Sequence, residues 1–229
     1  MAIHHYQKTG TYHTAMGSDC QDAVLCAENE FFQLIALADG VSACKHSGLG
    51  AQTTLDAVWD FLQLEGAKVF QYSPEQLSYL LLEHILYHLE LSAVRNSAQL
   101  TELSSTLAFC CIEKHTNRAI SLILGDSGIV SFLQQQIQFP LTLTKCRRSC
   151  FTTSKLAHKQ MESTGHELSY GDSILLGSDG FFHALNANPK GRTCLAEAFE
   201  TFDFNQIDQY LEQYPEPDDC SYVVFRLSR

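Results

Sequence analysis

The order of apolar patterns along the chain predicts an α+β fold, with antiparallel sheets covered by helices in layers. Three observations carry that expectation. Two strand-like runs open the chain and two long helical periodicities follow them. A block of strand-like runs then comes with only short turns between its members. Such grouping is not the strict strand–helix alternation that builds a parallel sheet, so segregated helical and sheet layers are the better class.

The elements can be justified in order. Residues 22–27 (DAVLCA) and 31–38 (FFQLIALA) read as two strands joined by a polar ENE turn, the second nearly all apolar, as a strand covered on both faces would be. After the DGVSACKHSG loop, Ala51, Leu55, Val58, Trp59 and Leu62 recur at helical spacing over 47–64, and Gly66 is a stop signal. Ser73, Pro74 and Gln76 then form a helix-start pattern, with Ser73 as cap, Pro74 at the first helical position and Gln76 completing a capping box. Leu77, Leu80, Leu81, Ile85 and Leu89 continue that helix to about residue 96. Residues 105–113, 118–124 and 128–133 read as three consecutive strands of an antiparallel meander, with another strand around 137–144. The polar stretch 145–170 has no strong period and reads as a flap or irregular insertion. A strand at 173–177, two short helices between 191 and 213 and a last strand at 220–227 complete the expectation.

Composition bounds the function. The chain has 229 residues, five prolines and no Gly/Ser tract or charge block, so one domain spanning 1–229 is expected. A hydrophobic content of 45% is ample for a core. The net charge of −11, with basic residues scattered, argues against nucleic acid, which needs clustered cations. The cysteine count of nine is odd and holds no C-x-x-C pair, so free thiols in a reducing cytoplasm are expected, with no disulfide-linked partner. The first residues, MAIHHYQKTGTYH, lack an apolar core, so no signal peptide is expected, and no apolar run is long enough for a membrane partner.

The chemistry lies in four aspartates at the ends of apolar runs: Asp39 in LIALADG, Asp126 in ISLILGDSG, Asp179 in SILLGSDGFF and Asp218 in PEPDDCSYVVF. Gly40, Gly125 and Gly180 adjoin three of them and let the backbone turn sharply there. Carboxylates gathered at strand ends repel one another unless a hard divalent cation neutralises them, which points to a metal-dependent enzyme.

Read together, the motifs CQD (20–22), ADG (38–40), SST (104–106), GDS (125–127), SDG (178–180) and DDCS (218–221) occur in the order seen in one family. The chain resembles the metal-dependent protein phosphatases of type 2C, in a compact bacterial-like branch, over residues 17 to 227. Each motif alone is weak; six in order on suitable local structure are strong. The resemblance implies a four-layer sandwich of two antiparallel sheets flanked by helices. It implies Mn²⁺ or Mg²⁺, two ions with room for a third, and a phosphoserine or phosphothreonine protein as substrate. It also implies roles. Asp39 would bridge two metals, the Gly40 carbonyl would bind one of them, and Asp179 and Asp218 would ligate the other. Asp22 would hold a metal-bound water, and Asp126 would help bind the third ion. Asp39 and Asp179 are the expected catalytic pair.

Three positions depart from the family pattern. Gln21 stands where the family has an acid, Gly17 where it has a phosphate-binding arginine, and Val41 where animal members have histidine. Lys45 or His46, just after the D-G turn, could replace the missing cation. The departures leave two alternatives open: a pseudophosphatase acting as a regulatory binding module, and a phosphatase of a small phosphorylated molecule. GDSG also resembles the nucleophile segment of serine proteases, but Ile129 replaces the second glycine and no matching histidine context exists. His84 and His88 share one helix face without the glutamate of HExxH, and read as polar-face or packing residues. Ser127 and Ser178 read as turn-stabilising hydroxyls.

Overall fold

The computed structural model describes residues 2–141 and 150–228. It contains ten strands: β1 (Ala2–Lys8), β2 (Ala23–Glu28), β3 (Phe32–Ala38), β4 (Leu107–Glu113), β5 (Arg118–Leu124), β6 (Gly128–Leu133), β7 (Gln136–Leu141), β8 (Glu162–Glu167), β9 (Ser173–Gly177) and β10 (Cys220–Arg226). The α-helices are α1 (Thr11–Met16), α2 (Ser47–Glu65), α3 (Pro74–Asn96), α4 (Asp179–Asn186), α5 (Pro189–Thr201) and α6 (Asn205–Gln213). One sheet runs β1-β10-β9-β6-β7 and the other β2-β3-β4-β5-β8, with every pairing antiparallel.

Three apolar clusters show the layering. Ile35, Leu37, Cys110 and Ile123 of one sheet meet Ile129, Ile174, Leu176, Val223 and Phe225 of the other between the sheets. α2 and α3 cover the outer face of the β2–β8 sheet through Leu55, Val58, Leu81, Ile85 and Leu89. α4, α5 and α6 cover the other sheet through Phe181, Leu195, Phe199 and Ile207. The result is the expected four-layer α+β sandwich. Cys110 and Cys111 point to opposite layers, as neighbours on a strand must.

Helix α3 starts as its sequence requires. Ser73 Oγ accepts the Gln76 N–H at 3.2 Å, and Gln76 Oε1 accepts the Ser73 N–H at 3.1 Å. On its outer side Leu80 faces solvent at 39% exposure, so the expected apolar face is narrower than the leucine spacing suggests. Trp59 lies at the margin of the helix-covered core.

The meander expected over 105–133 is corrected. β4 and β5 pair, but β6 leaves for the other sheet and lies between β9 and β7. Both sheets of a sandwich bury these strands on both faces, so apolar periodicity does not distinguish one sheet from the other. The turn that changes sheets is G-D-S, with Gly125 at φ +95°. The expected irregular insertion is also corrected in part. Residues 162–167 form edge strand β8 against β5, its polar sequence reflecting one-sided exposure, while 145–149 lie outside the described residues. Edge strand β1 and helix α1 had no counterpart in the sequence reading. Among the described residues, no helix is long and apolar enough to cross a membrane.

Candidate functional site

The carboxylates converge where strands from both sheets end. Asp39 follows β3, Asp22 precedes β2, Asp126 sits between β5 and β6, Asp179 opens α4 after β9, and Asp218 precedes β10. One carboxylate oxygen from each of Asp39, Asp126 and Asp179 lies within 4.8 Å of the others. Those three come from segments as much as 140 residues apart (179 − 39).

Buried hydroxyls place the D-G turn. Thr106 Oγ1 accepts the Asp39 N–H at 2.9 Å and lies 2.9 Å from Ser127 Oγ, while the Thr106 N–H donates to the Asp39 carbonyl at 2.8 Å. The SST and GDS motifs thus clamp the ADG turn from below. Gly40 forms a bridge to Ser105, and a Cβ there would meet the Gln21 carbonyl at 2.7 Å and Ser47 at 2.9 Å. Only glycine fits that approach without moving backbone.

A second group of contacts holds the Asp218 loop. Asp219 Oδ1 accepts the Gly10 N–H at 2.8 Å, and Oδ2 accepts the Gln21 N–H at 2.6 Å. His13 Nδ1 stands 2.9 Å from Asp219 Oδ1, with both side chains almost fully buried. Cβ atoms at Gly10 and Gly180 would collide with the 217–219 backbone at 2.4 and 2.1 Å, so the loop is gripped from two sides. Ser178 Oγ accepts the Ser221 N–H at 3.0 Å, tying the S-D-G turn to the same loop. Ser127 and Ser178 are therefore turn-stabilising hydroxyls, as their contexts suggested.

The electrostatics are those of carboxylates that repel one another. Burial, then the charges of Asp22, Asp179, Asp218 and Asp126, push the Asp39 carboxyl well above its ordinary value. Burial is also the main cause for Asp22, pushed up to about 7, with the Asp219 and Asp179 charges adding to it. Asp179 is raised by burial and by Asp218. Neither Asp22 oxygen nor Asp179 Oδ1 meets a hydrogen bond of ordinary geometry, although nearby Ser221 favours the charged form of Asp22. Among the described residues, no lysine or arginine forms an ion pair with Asp22, Asp39, Asp179 or Asp218. All-oxygen donors, with both Asp22 oxygens and Asp179 Oδ1 short of hydrogen bonds, fit a hard divalent cation and not a soft one.

The sequence-derived set thus divides. Asp39, Asp126 and Asp179 meet directly, Asp22 and Asp218 lie within electrostatic reach of them, and Gly40 lies at the same strand end. Lys45 is exposed, and the His46 N–H is taken by the Glu102 carbonyl; neither side chain pairs with the carboxylates. Gln21 Oε1 accepts the Ser47 hydroxyl at 2.7 Å. Gly17 ends α1 in the left-handed region at φ 69°, which suits glycine and strains an arginine. Sequence reasoning missed the His13–Asp219 pair. The doubled aspartate of PEPDD was the available signal, since two adjacent carboxylates seldom share one role.

A family model described as Protein phosphatase 2C matches residues 9–214, a span that includes Asp22, Asp39, Asp126 and Asp179 and stops short of Asp218. No curated protein matches the sequence. Among solved structures, the serine/threonine phosphatase PstP of Mycobacterium tuberculosis is similar at TM-score 0.66 and 16% identity, covering 100% of this chain and 99% of that one. PppA of Pseudomonas aeruginosa gives 0.68 and 17%, covering 98% and 96%. RsbX, solved in complex with magnesium, gives 0.65 and 15%, covering 99% and 94%.

Proposed function

Since the chain belongs to the protein phosphatase 2C family, whose members are metal-dependent, we propose that it hydrolyses phosphoserine and phosphothreonine in proteins. The observation that carries the reading is the convergence of Asp39, Asp126 and Asp179 within 4.8 Å, with the Asp39 and Asp179 carboxyls held above their ordinary values. Asp22, Asp39, Asp179, Asp218 and the Gly40 carbonyl would hold two Mg²⁺ or Mn²⁺ ions, and Asp126 a third. When bound, such ions would activate a water as nucleophile and neutralise charge on the phosphoryl oxygens.

The protein's part is placement. Thr106 fixes both backbone groups of Asp39, so that carboxylate projects from a turn that cannot rotate freely. Asp219 is committed to two backbone N–H groups and His13, which leaves Asp218 to the cluster. The same loop is held against the S-D-G turn by Ser178, which ties the placement of Asp218 to that of Asp179. No protein nucleophile is required. Lys45 or His46 supplies the phosphate-binding cation that Gly17 cannot. The chain acts as one domain, and the eight unpaired cysteines among the described residues suit the reducing cytoplasm.

The test is hydrolysis of a phosphothreonine peptide with Mn²⁺ or Mg²⁺, repeated with EDTA and with Asp39→Asn. Turnover that needs the ion and Asp39 supports the reading. Turnover that survives chelation, or its complete absence with every ion, rejects it.

A further inference from the structure

On the outer side of the helical layer, far along α2 from the D-G turn, three other ligating side chains meet. α2 and α3 run antiparallel, with Thr53 Oγ1 bonded to Ser92 Oγ at 3.3 Å and Asp60 facing the His84/His88 pair. Residues four apart share a helix face, so the HILYH spacing brings both imidazoles to the same place. Their Nε2 atoms converge on a single oxygen, Asp60 Oδ2, at 2.9 Å from His84 and 3.4 Å from His88. All three ligand atoms lie within 4.8 Å of one another.

We propose that Asp60, His84 and His88 form a second metal site, for a divalent transition metal such as Zn²⁺ or Ni²⁺, that staples α2 to α3. Around a tetrahedral ion with bonds of about 2.0 Å, neighbouring donors stand about 3.3 Å apart, and the two observed separations bracket that spacing. The donor set of two imidazoles and one carboxylate selects borderline ions over Mg²⁺, the opposite preference to the all-aspartate cluster. The ring positions are held from the side: Phe61 lies 5.7 Å from the His84 ring, and Tyr87 lies 5.7 Å from the His88 ring. The side chains are 20%, 30% and 45% exposed for His84, His88 and Asp60, so an ion has entry and a remaining position for water. HILYH supplies no glutamate to act as a base, so the site is a structural cross-link and not a hydrolytic centre.

A hydrogen-bonded cluster that binds no metal is the alternative, and metal titration of the full chain separates the two. With Mg²⁺ in large excess to occupy the all-oxygen cluster, calorimetric titration with Zn²⁺ and separately with Ni²⁺ near neutral pH should show one ion bound per chain and a rise in Tm. His84→Ala, Asp60→Asn and the His84→Ala/His88→Ala pair should each weaken binding at least about tenfold and abolish the rise. Their far-UV circular dichroism and metal-free Tm serve as the fold control. Binding should also weaken on going to about pH 5.5, where protons compete for imidazoles whose usual pKa is near 6.5. No binding by the intact chain under excess Mg²⁺, or binding unaltered by the double substitution, overturns the proposal. None of these readouts depends on phosphatase activity.

Discussion

Helix α2 touches two clusters of ligating side chains, and they differ in donor type and in charge balance. At its start, Ser47 donates to Gln21 beside the aspartates of the strand ends. Thirteen residues on, about 20 Å at the rise of an α-helix, Asp60 faces two histidines. The strand-end cluster is all-acidic, with Asp22 buried and the others partly so, and its charges raise one another's pKa. The helix-face cluster is also partly buried, but it sets two imidazoles against one carboxylate and is already satisfied by its own hydrogen bond, 2.9 Å from Asp60 to His84. A carboxylate is the shared ingredient. Its surroundings decide whether it needs a cation or merely accepts one.

Substitution of the two carboxylates should break the comparison most widely. Asp39→Asn or Asp179→Asn is expected to cost about a thousandfold or more in metal-dependent kcat/KM on a phosphopeptide, because several kcal/mol of charge stabilisation is lost. Asp60→Asn should stay within about twofold of the unaltered chain in the same assay with Mg²⁺.

Next in size is the support of the strand-end cluster. Asp219→Ala leaves the Gly10 and Gln21 N–H groups without their acceptor and removes the carboxylate beside His13. A loss of about 3 kcal/mol, or roughly 6–12 °C in Tm, is expected by calorimetry.

Metal-free stability should then follow pH in the sense that Asp22 sets. Asp22 rises from an ordinary 3.8 to about 7 in the folded chain. Its folded form therefore favours the proton, a stabilisation present below the unfolded pKa and lost as pH rises through about 7. Tm of the metal-free protein should fall by a few degrees between about pH 5 and pH 8, and added Mg²⁺ should flatten that slope. A slope of the opposite sign would show that burial does not raise the Asp22 carboxyl as the fold implies.

Smaller effects sharpen the picture. Thr106→Val removes the acceptor of the Asp39 N–H and should lower kcat about tenfold, with a stability loss of about 1–2 kcal/mol. Lys45→Ala should raise KM about two- to fivefold with kcat unchanged if its exposed ammonium captures the phosphoryl group.

Local patterns carried much of this. The capping box of α3, the both-face-buried β3 and the glycines beside Asp39, Asp126 and Asp179 are short-range features whose physics lies within a few residues. The aspartates could be named because each sits at the end of an apolar run. Less legible were β1 and β8, edge strands whose one-sided burial leaves polar sequences with weak alternation. Leu80 has the spacing of a buried position and still faces solvent, because spacing alone does not set how wide a stripe the neighbouring layer covers.

Thus the chain alone determined which residues end strands, cap helices and carry carboxylates, since those properties follow from neighbours in sequence. Only the folded arrangement decided that β6 crosses to the second sheet, that Asp219 serves His13 while Asp218 faces the cluster, and that Asp60 comes to rest against His84 and His88. Each of these depends on packing between segments far apart along the chain, and for β6 burial on both faces also erases the periodic signal that would have announced it.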